Sequence, residues 1–268
     1  MKKILSLVLV AAMLVMCFAL TACNEKEDVI GGADDKTDIV VDDNKDKATL
    51  KMATNAYFQP YEYYQDGVIV GIDAEIAAAI AEYLDMELVI EDMQFDTIIT
   101  AVKGGSVDFG MAGMTVNEER LLEVNFTNSY ASGVQVVIVK EDSAITTVDD
   151  LFADDATYKA GVQLGTTGDT YATGDLGADR VTQYDNANNA VLGLIGGDVD
   201  CVIIDNEPAK ALVQANEGLK ILDTTYADED YAICVKKENT ELLEKLNEAI
   251  VELTKNGKIS EIVAKYIK

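Results

Sequence analysis

Two stretches far apart in the chain follow one plan. Residues 98–111 pass from a helical pattern through Gly104-Gly105 and Ser106-Val107-Asp108 into an apolar strand, and residues 190–204 pass from a helical pattern through Gly196-Gly197 and Asp198-Val199-Asp200 into another. A unit of this kind cannot bury its apolar faces alone, so its recurrence predicts two bodies built the same way. Around the units, apolar runs at 50–53 and 87–90 alternate with amphipathic segments at 73–84 and 96–103. Strands and helices taking turns give an α/β fold with a largely parallel sheet. From Ala48 onward the chain has about 220 residues, enough for two lobes of about 100 each. The glycine pairs suit helix C-caps before a tight return and need no functional explanation.

In an open α/β sheet, ligands bind beyond the carboxyl ends of the strands. The strand of the first unit runs out into Ala112-Gly113-Met114-Thr115 and that of the second into Asp205-Asn206. If the lobes face each other, these loops lie across a shared cleft.

The chain has no histidine and no tryptophan. That excludes His-based triads and His metal sites, so any catalysis would rest on carboxylates, Lys, Tyr or Cys. No metal or cofactor motif is found. A formal charge of −27 repels phosphate backbones and anionic headgroups, which disfavours nucleic acid as a partner.

The N-terminus reads as an export signal: Lys2 and Lys3, an apolar run over residues 4–20, and Leu20-Thr21-Ala22-Cys23, which resembles a bacterial lipobox. On that reading residues 1–22 are removed and Cys23 is lipidated, which anchors the protein to the membrane surface outside the cytoplasm. An uncleaved anchor helix is the alternative. Removing residues 1–22, which hold two lysines and no acid, takes the charge from −27 to −29. Residues 23–47 are polar and acidic and are expected to form a flexible tether. Cys201 and Cys234 lie in apolar runs without metal spacing; two buried free thiols are favoured over a disulfide.

Only two of the 21 basic side chains are arginines, and one, Arg120, follows the 112–115 loop. A guanidinium pairs bidentately with a carboxylate in a way lysine cannot. Residue chemistry alone leaves this open against a surface ion pair with Glu118 and Glu119. Residues 164–169 (Leu-Gly-Thr-Thr-Gly-Asp) connect a strand to a helix start, where amides can line an anion-binding turn or merely cap the helix. Tyr57, Phe58 and Tyr61 could wall a pocket or belong to the core.

Taken in order, Met52-Ala53-Thr54-Asn55, Pro60-Tyr61-Glu62, Gly71-Ile72-Asp73, Met93-Gln94-Phe95, residues 111–120, Gly165-Thr166-Thr167 and Ile204-Asp205 resemble the polar-amino-acid-binding proteins of bacterial ABC importers. The resemblance runs from about residue 48 to the C-terminus. It implies a two-lobed, periplasmic-binding-protein-like (type II) fold with two hinge strands near residues 131–134 and 228–231, lobe 1 being 48–132 plus 230–268 and lobe 2 being 133–229. It also implies a monomer that binds a free amino acid and delivers it to an ABC permease and its ATPase, docking through one surface patch on each lobe.

Carried over by position, Arg120 takes the ligand α-carboxylate with Thr115 and the amides of Thr166 and Thr167. Asp205 takes the α-ammonium with the Gly113 carbonyl, while Phe58 and Phe95 sandwich the side chain. Ala112, Asn55 and Gln163 complete the set. Asn55 and Gln163 are neutral where relatives carry charge, which favours a neutral polar side chain such as that of glutamine. Glu62, Asp96 or Tyr57 entering the pocket would reverse this. The resemblance also extends to cyclohexadienyl dehydratases, and a ligand-sensing domain is a further alternative. Turnover needs a positioned acid or base, and no carboxylate stands out for that role.

Overall fold

The computed structural model describes residues 47–267; the signal segment 1–22, Cys23 and the tether up to residue 46 lie outside them. No helix among the described residues is long and apolar enough to cross a membrane. The chain starts with β1 (Thr49–Thr54), a small antiparallel sheet of β2 (Tyr57–Phe58), β3 (Glu62–Gln65) and β4 (Val68–Val70), then α1 (Ile72–Tyr83) and β5 (Glu87–Asp92). It continues through α2 (Ile98–Gly104), β6 (Phe109–Gly110), α3 (Glu118–Glu123), β7 (Asn125–Phe126) and the long β8 (Ala131–Lys140). There follow β9 (Ala160–Gln163), α4 (Thr167–Leu176), β10 (Val181–Tyr184), α5 (Ala187–Gly196), β11 (Cys201–Asp205), α6 (Asn206–Ala215), β12 (Leu219–Ile221) and β13 (Ala227–Tyr231). The chain closes with β14 (Cys234–Val235), α7 (Thr240–Lys255) and α8 (Lys258–Tyr266).

Two larger sheets result, one per lobe. The first has the order β5-β1-β6-β14-β7 and the second β10-β9-β11-β8-β12, with β13 also on β8. The βαβ pairs β1–β5, β1–β6, β9–β10 and β9–β11 are parallel, while β8, β12, β13 and β14 pair antiparallel. The parallel expectation therefore holds for the strands joined by helices. Both recurrent units end their helices as expected: Gly105 and Gly197 cap α2 and α5 in the left-handed conformation, where a Cβ is unfavourable.

In α1, Ile72, Ile76 and Ile80 recur at i, i+4 and are fully buried on β1 and β6, each contributing about 1.5–3 kcal/mol. Leu246, Ile250 and Leu253 of α7 and Ile259 and Ile262 of α8 close the same core. In the second lobe, alternate residues of β8 and β11 serve opposite faces: Val137, Val139 and Ile203 pack under α4, and Val136, Ile138, Val202 and Ile204 under α5 and α6.

The chain passes between the sheets twice, entering the second through β8 and leaving through β13. These strands run side by side, with Asp228 opposite Val134, Glu229 opposite Gly133 and Tyr231 opposite Ala131. Two details differ from the pattern. The strand expected over 107–111 shortens to Phe109–Gly110, because the Lys51 amide donates to the Asp108 side chain at 2.7 Å before the ladder begins. The helical pattern over 240–267 breaks at Gly257, which takes φ 81° between α7 and α8.

Candidate binding pocket between the lobes

The carboxyl ends of β1, β6, β9 and β11 converge on one cavity of about 330 Å³. All eleven residues singled out from the sequence line it: Asn55, Phe58, Phe95, Ala112, Gly113, Thr115 and Arg120 from the first lobe, and Gln163, Thr166, Thr167 and Asp205 from the second. A twelfth, Glu62 of β3, joins them.

Arg120 sits on α3, whose first turn is fixed by the Asn117 side chain accepting from the Arg120 amide at 2.8 Å. Its guanidinium turns inward. Nη1 donates to the Thr115 carbonyl at 2.7 Å, Nη2 to the Gly165 carbonyl of the other lobe at 3.0 Å, and the group lies 5.4 Å from the Phe95 ring centre. Arg120 is 8% exposed, and no ion pair joins it to Glu118 or Glu119 among the described residues. The surface-pair alternative is thereby removed. A guanidinium stripped of water and held only by neutral carbonyls is a receptor for a carboxylate.

Across the cavity, Thr166 caps α4 by accepting from the Asp169 amide at 3.1 Å, so the free amides of the first helical turn face the pocket with the positive end of the helix dipole. Gln163 Nε2 donates to Asn55 Oδ1 at 2.9 Å, joining the lobes directly. Asn55 Nδ2 donates in turn to the Met93 carbonyl at 2.8 Å. Asp205 ends β11 and accepts a short hydrogen bond from the Tyr231 hydroxyl. Burial pushes the Asp205 carboxyl up to about 7; the Tyr231 bond opposes this, and the field of Glu229 adds to it.

Glu62 is the feature that sequence reasoning left out of the site. It was quoted within Pro60-Tyr61-Glu62, but its direction depends on the β2–β3 hairpin, whose register places it opposite Phe58. It is 1% exposed, and neither carboxylate oxygen has a hydrogen-bond partner. Beside it, Asp73 of α1 accepts from the Gly113 amide and the Tyr130 hydroxyl, both at 2.8 Å. Burial raises Glu62 well above the usual carboxyl range, with Asp73 adding to the effect, and burial raises Asp73 to about 6. The expectation that no carboxylate stands out in the cleft is thus corrected by Glu62. Asp96 and Tyr57, the other two candidates for entering the pocket, are both exposed.

The profile of the bacterial extracellular solute-binding proteins, family 3, matches residues 50–268. The chain belongs to this family. As a family 3 solute-binding protein it is 30% identical over 275 residues to the arginine-binding extracellular protein ArtP of Bacillus subtilis (strain 168), covering 99% of this chain and 98% of that one. Among solved structures it is similar to an ancestral arginine-binding protein bound to glutamine, at TM-score 0.77 and 37% identity over 82% of this chain and 98% of that chain. The same ancestral protein bound to arginine aligns at TM-score 0.76 and 36% identity over 83% and 99%. These relatives are solute-binding proteins rather than enzymes, and membership implies an extracytoplasmic amino-acid-binding component of an ABC importer.

Proposed function

We propose that this solute-binding protein captures one free L-amino acid as a zwitterion between its lobes and presents it to an ABC permease and its ATPase. The observation that carries the reading is the pair of buried, opposite charges that the two lobes bring to one cavity, Arg120 from the first and Asp205 from the second. Arg120, the Thr115 hydroxyl and the amides of Thr166 and Thr167 take the α-carboxylate; Asp205 and the Gly113 carbonyl take the α-ammonium. Phe58 and Phe95 flank the side chain, with Ala112 at the wall. Each ligand charge needs a partner, because an unpaired buried charge costs several kcal/mol. Neither lobe supplies both, so only the closed form satisfies the ligand.

At the side-chain end the amide donors of Asn55 and Gln163 are already engaged, which favours ligands that bring N–H donors. Glutamine and arginine both do, and both names occur among the related structures. We further take residues 48–132 plus 230–268 as lobe 1 and 133–229 as lobe 2, hinged at the β8–β13 pair. The protein acts as a monomer tethered through lipidated Cys23 and the 23–47 segment.

A thermal-shift panel on residues 24–268 with the twenty L-amino acids tests this. A ligand that binds only the folded state adds about 2.7 kcal/mol at a hundredfold excess over Kd. Shifts confined to a few amino acids and abolished by Arg120→Ala and Asp205→Ala are expected. No shift with any amino acid overturns the reading. Turnover of prephenate would instead favour the dehydratase, with Glu62 as the group able to act as general acid.

A further inference from the structure

Three charged side chains line the cavity: Arg120, Asp205 and Glu62. A neutral zwitterion uses the first two and leaves Glu62 unanswered. Glu62 is buried to 1% exposure, lines the cavity, and has no hydrogen-bond partner on either oxygen. Next to it, Asp73 Oδ2 is held by Gly113 and Tyr130, while Asp73 Oδ1 is buried without a partner.

The charged groups facing Glu62 from neighbouring elements are acidic: Asp73 from α1, Asp205 from the end of β11 and Asp92 from the end of β5. The remaining titratable neighbours are phenols, Tyr61 after β2, Tyr130 before β8 and Tyr231 of β13, and burial raises all three well above their ordinary value. Two carboxylates buried side by side cannot both stay ionised without a cation, so one proton must be held between them. Asp73, with two donors on Oδ2, is the ionised partner; Glu62 is the one that carries the proton and can release it.

We propose that Glu62 and Asp73 form a proton-sharing pair that sets side-chain selectivity: in the empty pocket it holds one proton, and a guanidinium or ammonium side chain takes that proton's place. The inference rests on the amino-acid reading above and narrows it to cationic side chains, arginine first. On binding, the ligand cation becomes the partner of Glu62, and the proton leaves to solvent. A neutral side chain such as that of glutamine leaves the pair protonated. Arginine affinity therefore rises with pH, about tenfold per unit while the empty pair is protonated, beyond any dependence shared with glutamine through Asp205.

The test is titration calorimetry of the full chain with L-arginine and with L-glutamine at pH 6, in buffers of different ionisation enthalpy. Arginine is expected to bind more tightly at pH 8 than at pH 6 and to release up to one proton more than glutamine. Glu62→Gln is expected to abolish the difference and to weaken arginine by at least tenfold while sparing glutamine. The comparison of ligands needs no variant, so a folding defect in Glu62→Gln leaves the result readable. Equal proton release by the two ligands overturns the proposal, as does unchanged arginine binding in Glu62→Gln. Binding of neutral amino acids alone overturns this proposal and leaves the parent reading standing; binding of no amino acid overturns both.

Discussion

Gln163 Nε2, at the end of β9, lies 2.9 Å from Asn55 Oδ1, just past the end of β1, and this bond links the two lobes directly at the cavity. It forms only when the lobes are together, so it stabilises the closed form without touching the ligand's charged ends. A net contribution of about 1 kcal/mol is typical for such a bond, and a closure equilibrium passes it on to the apparent affinity. Gln163→Ala is therefore expected to weaken amino-acid binding about fivefold, measured by calorimetry, with the folded state intact.

Arg120 gives a larger effect. Removing it leaves a buried ligand carboxylate without its partner, a loss of about 3–5 kcal/mol. Arg120→Ala is expected to reduce affinity by at least a hundredfold. Arg120→Lys should recover little, because one ammonium cannot hold the Thr115 and Gly165 carbonyls and also meet a carboxylate bidentately. Near-normal binding by Arg120→Lys would refute the fork geometry.

Stability should depend on pH in an unusual direction. Burial raises Asp73 to about 6 and Asp205 to about 7, above the unfolded carboxyl value of about 3.9. A carboxyl whose folded pKa is raised binds its proton more tightly when folded. Its contribution is complete below about pH 4 and is lost as pH climbs through 6 to 7. The ligand-free protein should therefore melt at a lower temperature at pH 8 than at pH 5, by scanning calorimetry. A saturating amino acid, by pairing Asp205, should flatten part of that slope.

Gly133 lies on β8 opposite Glu229, and a Cβ there would fall 2.1 Å from the Tyr231 hydroxyl. That hydroxyl holds Asp205. Gly133→Ala must push the phenol away, so it should weaken ligand binding and lower the melting temperature together. The double variant Gly133→Ala/Tyr231→Phe, which removes the clashing oxygen, should regain part of the melting temperature but not the affinity.

The two cysteines of the folded part are free and buried, Cys201 in the second lobe and Cys234 in the first, and burial pushes both thiols up to about 12. In residues 24–268 neither should react with a thiol reagent at pH 8 until the protein is unfolded, when both should. Fast labelling of the native protein would contradict this burial.

Much of the architecture is legible in residue order because it is local. The 3.6-residue recurrence of Ile72, Ile76 and Ile80, the glycines ending α2 and α5, and the loops after β6 and β11 all report period and turn chemistry, which need no partner to be read. Strand ends also point to the cleft, so all eleven expected residues meet at one cavity.

Hairpin register and side-chain direction are not local. Glu62 turns inward because β2 and β3 pair Phe58 with Glu62, and it meets Asp73 only because α1 returns beneath the hairpin. The Gln163–Asn55 bond spans 108 residues, and the Tyr231–Asp205 bond depends on β13 folding back along β8. The sequence by itself determined two α/β lobes, a cleft at their strand ends and a lone inward arginine. Tertiary structure alone decided which buried carboxylates become neighbours, because a charge's environment is set by what packs around it in space.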